Sequence, residues 1–271
     1  MGFADLFKKD YAELALNEAR NGNYMKAAEH FKTAFNKTNN SEYIINAATL
    51  YEACNENGLL LECLRIGSSK GDANCLIWLG NIYRDGQIVK ADRTLAENYY
   101  RLATEVGSSF AYYMWGQMYY VHCKNHPTQF HTAMGLFEEG FVRGSSECAN
   151  IIGEMYYYGH GVEVDIQKAL EYYRLSIQDH NATGYYNLGR HYYFGLGVKR
   201  DDNVAYNYFI EAEKRGCHYA AEFLSKDRTK LRSHLEMEAK YFGKVIGNAA
   251  VDSITNTLTE GIADGIAEGI I

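Results

Sequence analysis

Apolar residues recur along most of this chain at spacings of three and four, and small residues return at fixed places within the pattern. Leu79, Gly80 and Tyr83 form one such group, in which the leucine and the tyrosine are four positions apart. Residues at this spacing share one face of a helix, so the group predicts a helix with an apolar face. The group occurs four times, at intervals of 36, 37 and 36 residues, with its glycine at Gly80, Gly116, Gly153 and Gly189.

A second helix is predicted after each of these glycines. It carries an alanine four positions before an aromatic residue, in the pairs Ala96 and Tyr100, Ala133 and Phe137, Ala169 and Tyr173, and Ala205 and Phe209. A glycine inside a helix costs roughly 1 kcal/mol relative to alanine, so its recurrence needs a structural reason. We expect the glycine and the alanine of one repeat to face each other, and the aromatic rings to fill the layer between repeats.

Glycine and aspartate predict where these helices begin and end. Glycines suited to a left-handed C-terminal cap follow the second helices at Gly107, Gly144 and Gly216. Other glycines mark the turn inside a repeat, at Gly86, Gly159, Gly161, Gly195 and Gly197. An aspartate then stands at the expected N-cap of the second helix, at Asp92, Asp165 and Asp201.

A fixed period of this length is typical of a solenoid, in which each repeat is too small to bury a core alone. The sequence therefore predicts an all-α, right-handed solenoid of antiparallel helix pairs. The segments GHGVEVDIQKALEYYRLSI (residues 159–177) and GLGVKRDDNVAYNYFIEA (residues 195–212) resemble the Sel1-like repeats of the tetratricopeptide superfamily. Repeat 2 departs from that pattern, because its turn reads HCKNHPTQFH and contains the only proline, Pro127.

The resemblance divides the chain into four parts. Residues 1–70 are similar to tetratricopeptide repeats, most clearly over residues 11–38, and residues 71–215 hold four Sel1-like repeats. A terminal half-repeat and helix are expected over residues 216–240. Residues 241–271 form a separate segment with glycines at every fourth position, at Gly261, Gly265 and Gly269.

Three interpretations of residues 241–271 stay open. The segment caps the last repeat, pairs with a second copy or a partner helix through its small residues, or lies on a membrane. Its four acidic residues leave no apolar run long enough for a transmembrane span.

Composition limits the function further. The formal net charge of -7 argues against nucleic acid as a partner. The N-terminal residues lack the apolar core of a secretion signal, and the six cysteines are irregularly spaced, so we expect a cytoplasmic protein with reduced thiols.

No catalytic or nucleotide-binding motif is complete in the sequence, and we expect neither an enzyme nor a cofactor. One cluster of metal-ligand residue types falls in the turn of repeat 2, at His122, Cys123, His126 and His131. Structural zinc sites have tighter paired spacing, so we interpret this cluster as a polar loop and predict no metal site.

The resemblance implies a non-catalytic scaffold or adaptor that binds a protein partner on the concave surface formed by the first helices. The alternatives are a cognate inhibitor or immunity protein of one toxin or enzyme, and a regulator that self-associates through residues 241–271. Positions carried over from the superfamily give ten candidate partner-binding residues: Arg84, Tyr113, Gln117, Tyr120, Asn150, Glu154, Tyr157, Tyr186, Arg190 and Tyr193.

These ten positions lie outside the expected core phases, and tyrosines supply large contact areas in interfaces. Tyr120, Tyr157 and Tyr193 should form a row, with Tyr157 at its centre. The opposing interpretation is that some of these rings pack against neighbouring residues, because the chain contains 24 tyrosines in all.

Overall fold

The computed structural model describes residues 10–121 and 128–225. These residues form thirteen α-helices and one short 3₁₀ helix, Ile177–Asp179, with no strand among them. This confirms the predicted all-α class. In chain order, the helices are α1 Tyr11–Arg20, α2 Tyr24–Thr38, α3 Ser41–Ala53, α4 Asn57–Ser69, α5 Ala73–Asp85, α6 Arg93–Glu105, α7 Ser109–Tyr120, α8 Thr128–Val142, α9 Ser146–Tyr158, α10 Ile166–Ser176, α11 Ala182–Phe194, α12 Asp202–Lys214 and α13 His218–Leu224.

The chain forms two compact units that divide within α7, between Met118 and Tyr119. In the N-terminal unit, α1 to α6 pack consecutively, each against the next. In the C-terminal unit, α8 to α13 do the same. Each unit has its own apolar core. The right-handed path of the array stays a prediction.

The predicted helix caps are present. The carboxylates of Asp92, Asp165 and Asp201 accept hydrogen bonds of 3.0 Å from backbone N–H groups at the starts of α6, α10 and α12. Gly86, Gly159 and Gly195 end the preceding helices in the left-handed conformation. Aspartate and glycine thus fix the short turn between the two helices of a repeat.

Within a repeat, the recurring glycine of the first helix leaves space for an aromatic ring. We call this residue, which is Gly80, Gly116, Gly153 or Gly189, the anchor glycine. A methyl group on Gly80 would lie 2.6 Å from Cε1 of Tyr100, and one on Gly189 would lie 2.7 Å from Cε1 of Phe209. Gly153 is covered in the same way by Tyr173. The nearest group to each of these glycines is therefore a ring, and the expected approach of alanine is seen at Gly153, where the added methyl group would lie 3.2 Å from the carbonyl oxygen of Ala169.

The missing side chain leaves space for a flat ring inside its own repeat. The same rings also contact the next repeat, as expected: the centroid of Phe209 lies 3.9 Å from that of Phe223, and the centroid of Tyr173 lies 5.5 Å from that of His191.

Between repeats, small residues meet instead. A methyl group on Gly67 at the end of α4 would overlap the Sγ of Cys75 in α5. One on Gly184 in α11 would overlap the Oγ of Ser176 in α10. The contact residues are buried, so the second helix of one repeat packs closely on the first helix of the next. Small residues thus define the seam between successive repeats.

Several predicted features fall outside the described residues. They are residues 226–240 of the half-repeat and helix predicted over residues 216–240, the 241–271 segment with its three interpretations, and His122, Cys123 and His126 of the repeat 2 turn. Within the described ranges, no helix is long and apolar enough to cross a membrane.

We predict that Gly153→Ala destabilises the protein by about 1–3 kcal/mol, because the new methyl group would lie 2.7 Å from Cε1 of Tyr173. Gly135→Ala is the matched control. Gly135 is an exposed glycine in α8, and a methyl group there would have nothing within 4 Å. The control should gain up to about 1 kcal/mol from helix propensity. Urea unfolding of both variants checks this, and equal effects at the two positions would contradict the ring-on-glycine packing.

Candidate functional site

Three first helices of the C-terminal unit lie side by side. The Asn187 amide of α11 donates a hydrogen bond of 3.0 Å to the side-chain oxygen of Asn150 in α9. The ring of Tyr186 in α11 lies 5.7 Å from that of Tyr219 in α13, measured between centroids. We call the side chains on this side of the three helices the first-helix face: Glu147, Asn150, Glu154 and Tyr158 of α9, Tyr186, Asn187, Arg190 and Tyr193 of α11, and Tyr219 and Glu222 of α13.

A network of polar side chains joins α9 and α11 on this face. Asn150 Nδ2 donates to Glu154 Oε1 over 3.0 Å, and Asn187 Nδ2 reaches the same carboxylate oxygen over 3.4 Å. Arg190 Nη1 donates to Asn187 Oδ1 over 3.3 Å. Asn150, Asn187 and Arg190 are only 7%, 3% and 7% exposed. Buried polar groups are tolerated when they are hydrogen-bonded, so this network fixes α9 and α11 relative to each other.

Aromatic rings enclose the charged part of the network. The Arg190 guanidinium lies 5.6 Å from the ring centroid of Tyr157 and 5.7 Å from that of Tyr186. Burial raises the pKa of Tyr173 well above its ordinary value. The charge of Glu154 raises this pKa further, and the charge of Arg190 lowers it by a smaller amount. Glu154 and Arg190 thus act on the pKa of Tyr173 in opposite directions.

Repeat 1 does not have this network. In repeat 1, Ile77 lies three residues before the anchor glycine and Trp78 lies two residues before it. Asn150 lies three residues before the anchor glycine of repeat 3, and Asn187 lies two residues before that of repeat 4. Since the packing of the repeats does not require amides here, the polar side chains are a particular feature of repeats 3 and 4.

Five of the ten predicted residues meet at this network: Asn150, Glu154, Tyr157, Tyr186 and Arg190. Tyr193 lies farther along α11, where its ring centroid is 5.1 Å from that of Phe223. The role of these residues in binding a partner stays a prediction.

Four of these positions are more buried than we expected. Asn150, Tyr157, Tyr186 and Arg190 are all buried, so the expectation that they lie outside the core is wrong for them. Tyr157 is 1% exposed, and its ring packs edge-on against Tyr158 and His191 at 4.9 and 5.0 Å. Tyr157 is part of the packed layer and not the centre of an accessible row.

Tyr120 makes a different contact. Its hydroxyl is 2.6 Å from Nδ1 of His160, a residue of the turn in repeat 3. The His160 ring stacks between Phe130 and Tyr158, with centroid distances of 5.3 and 5.4 Å. Tyr120 therefore attaches the end of α7 to the turn that follows α9.

The remaining predicted residues, Arg84, Tyr113 and Gln117, belong to the N-terminal unit. Arg84 forms an ion pair with Asp85, with a shortest distance of 2.6 Å. Tyr113 packs near Phe110, with ring centroids 5.5 Å apart.

Sequence reasoning missed Asn187. Its position carries Trp78 in repeat 1 and Ile151 in repeat 3, so it belongs to an apolar phase. The presence of an amide at a position that is apolar in these other repeats is the signal that could have identified Asn187. Sequence reasoning also missed His191, which is buried and directs its Nδ1 to the Leu196 carbonyl oxygen over 2.7 Å.

The described residues contain neither a candidate metal site nor a reactive thiol. Within them, no group of three or more histidine, cysteine or acidic side chains is placed to hold a metal ion. His131 lies exposed on α8. Cys63, Cys75, Cys148 and Cys217 are buried free thiols, and burial raises the pKa of Cys148 to about 12. Thiols in this state are unreactive.

Comparison with known proteins identifies the repeats. The fold is that of a helical-repeat protein, and the Sel1 repeat family matches residues 73–108, 146–180 and 182–217. These three segments are Sel1 repeats, which confirms the resemblance found in the sequence. Sel1 and tetratricopeptide-like repeats generally mediate protein–protein interaction and are generally non-catalytic.

One relative matches a short part of the chain. An ERAD-associated E3 ubiquitin-protein ligase component, HRD3B of Arabidopsis thaliana, is 32% identical over 80 residues. That segment covers 30% of this chain and 13% of the relative, so the chain matches only a small part of that protein.

Two solved structures share the fold. A Sel1 repeat protein from Oxalobacter formigenes has a TM-score of 0.58 at 21% identity, over 79% of this chain and 88% of that one. An immunity protein from Pseudomonas aeruginosa has a TM-score of 0.50 at 21% identity, over 73% of this chain and 76% of that one.

Tyr157→Ala should unfold more easily than the parent protein, by about 3–5 kcal/mol, because it removes a buried ring. Tyr219→Ala serves as the comparison, since Tyr219 is 53% exposed and should cost much less. Thermal and urea unfolding measure both. Equal stability of Tyr157→Ala and the parent would show that Tyr157 is accessible after all.

Stability should fall in mild acid because of His191. Burial lowers the pKa of His191 to about 3, so the folded protein keeps this imidazole neutral while the unfolded chain protonates it near pH 6.5. The stabilisation is complete above pH 6.5 and is lost as the pH falls from there toward 3. Between pH 6.5 and 4.5 the loss is roughly 2 kcal/mol.

His191→Gln can still donate to Leu196 but cannot titrate, so its unfolding free energy should depend less on pH over this range. His131→Gln, which alters an exposed histidine, should keep the parent's pH dependence. Identical pH profiles for the parent and His191→Gln would contradict this account.

Proposed function

We propose that this chain is a non-catalytic scaffold or adaptor that binds a protein partner on the first-helix face of its C-terminal unit. The proposal extends the general role of Sel1 repeats to particular residues. We further propose that it acts in the cytoplasm, as the irregular cysteine spacing suggests.

The observation that carries the proposal is the polar network between α9 and α11. Hydrogen-bonded amides and charges between two helices contribute little net stability compared with apolar packing. Repeat 1 uses Ile77 and Trp78 at the corresponding positions. Polar groups in place of apolar ones favour a role in recognition, because they hold nearby side chains in fixed positions.

The more exposed rings of the same face supply contact area. Tyr158 and Tyr193 are half-buried, and Tyr219 is 53% exposed. Tyrosine is enriched where interfaces concentrate their binding energy, because it combines a large ring with a polar tip. The network and these three rings together form the proposed docking surface.

Tyr193→Ala should weaken capture of the native partner by about 2 kcal/mol or more, while the helical content stays unchanged. Tyr158→Ala is a second variant, in case the loss of the Tyr193 contact with Phe223 lowers stability. Alanine at Glu171 or Gln178, both exposed on the second-helix side, should leave capture unchanged.

The measurement is quantitative pull-down from the native cell with the full chain and these variants. Equal capture by Tyr193→Ala, Tyr158→Ala and the Glu171 control would refute the proposed surface. The number of captured proteins separates the two functions predicted from sequence. Several partners support an adaptor, and a single cognate partner supports an inhibitor or immunity protein.

A further inference from the structure

We propose that a cavity in the N-terminal unit binds a free amino acid with an apolar side chain, whose carboxylate contacts Lys37 and whose ammonium group contacts Asp10. This inference goes beyond the proposed function and does not depend on the docking surface of the C-terminal unit.

The cavity lies between α1, α2 and α3 and has a volume of about 390 Å³. Its walls include Asp10 and Tyr11 at the start of α1, Ala34 and Lys37 near the end of α2, and Tyr43 in α3. Small-molecule sites in proteins occupy about 300–1,000 Å³ and combine apolar walls with a few polar groups. The cavity has both properties.

The cavity coincides with a departure from the small-residue seam between repeats. In α5, α9, α11 and α13, the third residue after the N-cap is small: Cys75, Cys148, Gly184 and Ala220. In α3 the same position holds Tyr43, whose ring stacks on Phe31 with centroids 6.1 Å apart. A ring prevents the close approach of helices that is seen at Gly184, which accounts for the space at this seam.

Two opposite charges line the cavity without neutralising each other. Within the described part of the chain, neither Lys37 nor Asp10 forms an ion pair. Lys37 Nζ lies 4.1 Å from the ring centroid of Tyr11, a contact that positions the ammonium group and leaves its charge in place. Asp10 Oδ1 accepts hydrogen bonds of 2.9 and 3.2 Å from the N–H groups of Ala12 and Glu13, which orient the carboxylate.

An α-amino acid carries the two complementary charges on neighbouring groups. Its carboxylate would accept a hydrogen bond from Lys37 Nζ, and its ammonium group would donate one to the Asp10 carboxylate. The side chain would then lie against the Tyr43 ring and Ala34, which is only 4% exposed. A simple anion or a simple cation would leave one of the two protein charges unmatched, so the cavity fits the zwitterion best.

Isothermal titration calorimetry of the full chain tests this with L-phenylalanine and two analogues. Phenylalanine amide lacks the carboxylate, and N-acetyl-L-phenylalanine lacks the ammonium group. Phenylalanine should bind, and each analogue should bind at least about tenfold more weakly because it loses one charge-assisted hydrogen bond. No binding of phenylalanine at millimolar concentration, or equal affinity for all three compounds, would overturn the inference.

Two variants assign each charge to its partner group. Lys37→Gln should weaken phenylalanine about tenfold and leave phenylalanine amide within a factor of about two, since the amide has no carboxylate to lose its contact. Asp10→Asn keeps an oxygen for the N-cap of α1 and should weaken phenylalanine but not N-acetyl-L-phenylalanine. Unchanged binding of phenylalanine to both variants would contradict the assignment, as would equal losses for all three compounds.

Lys26→Gln is the matched control, because it removes the charge of an exposed lysine near the other end of α2. It should bind phenylalanine as the parent does, and a loss equal to that of Lys37→Gln would overturn the inference. Tyr193→Ala should also bind phenylalanine normally. The amino-acid site and the proposed docking surface are therefore tested independently.

Discussion

The contact between an aromatic ring and a helical glycine determines how each repeat closes. Tyr100, Tyr173 and Phe209 each lie against a glycine of the first helix in their own repeat, at positions where a methyl group would overlap the ring. This contact brings the two helices of a repeat together. The next repeat then adds through a separate seam of small residues, such as Ser176 against Gly184. Two kinds of close packing thus alternate along the array.

This packing leaves one side of the first helices available for other chemistry. In the C-terminal unit, α9 and α11 are already fixed by their second helices, α10 and α12. Polar residues at Asn150 and Asn187 therefore do not need to contribute most of the stability. They hold Glu154 and Arg190 in defined places, and the neighbouring tyrosines add contact area. In the proposed function, the fold supplies the rigid support and the first-helix face supplies the specificity.

Much of the fold could be predicted from sequence because its constraints are local. The glycine period, the aspartate caps at Asp92, Asp165 and Asp201, and the left-handed glycines each act within a few residues. The partner of each glycine could not be predicted, since both alanine and a ring lie at suitable spacings on the second helix. Periodicity predicts which face of a helix is buried. It does not predict which side chain of the neighbouring helix packs against that face.

The candidate site was predicted only in part, for the same reason. Resemblance placed Asn150, Glu154 and Arg190 on one face, and they do meet there. It did not reveal that Tyr157 packs against His191, because that contact joins two repeats. Asn187 occupies an apolar phase, so its role depends on a neighbour 37 residues away in the chain. Contacts between repeats require the three-dimensional structure.

The central claim is that a partner binds to the first helices of the C-terminal unit. Hydrogen–deuterium exchange of the full chain, measured with and without its captured partner, tests this most directly. The account predicts slower exchange in α9, α11 and α13 when the partner is bound, with α10 and α12 little changed. Protection confined to α10 and α12, or to the N-terminal unit, would contradict it.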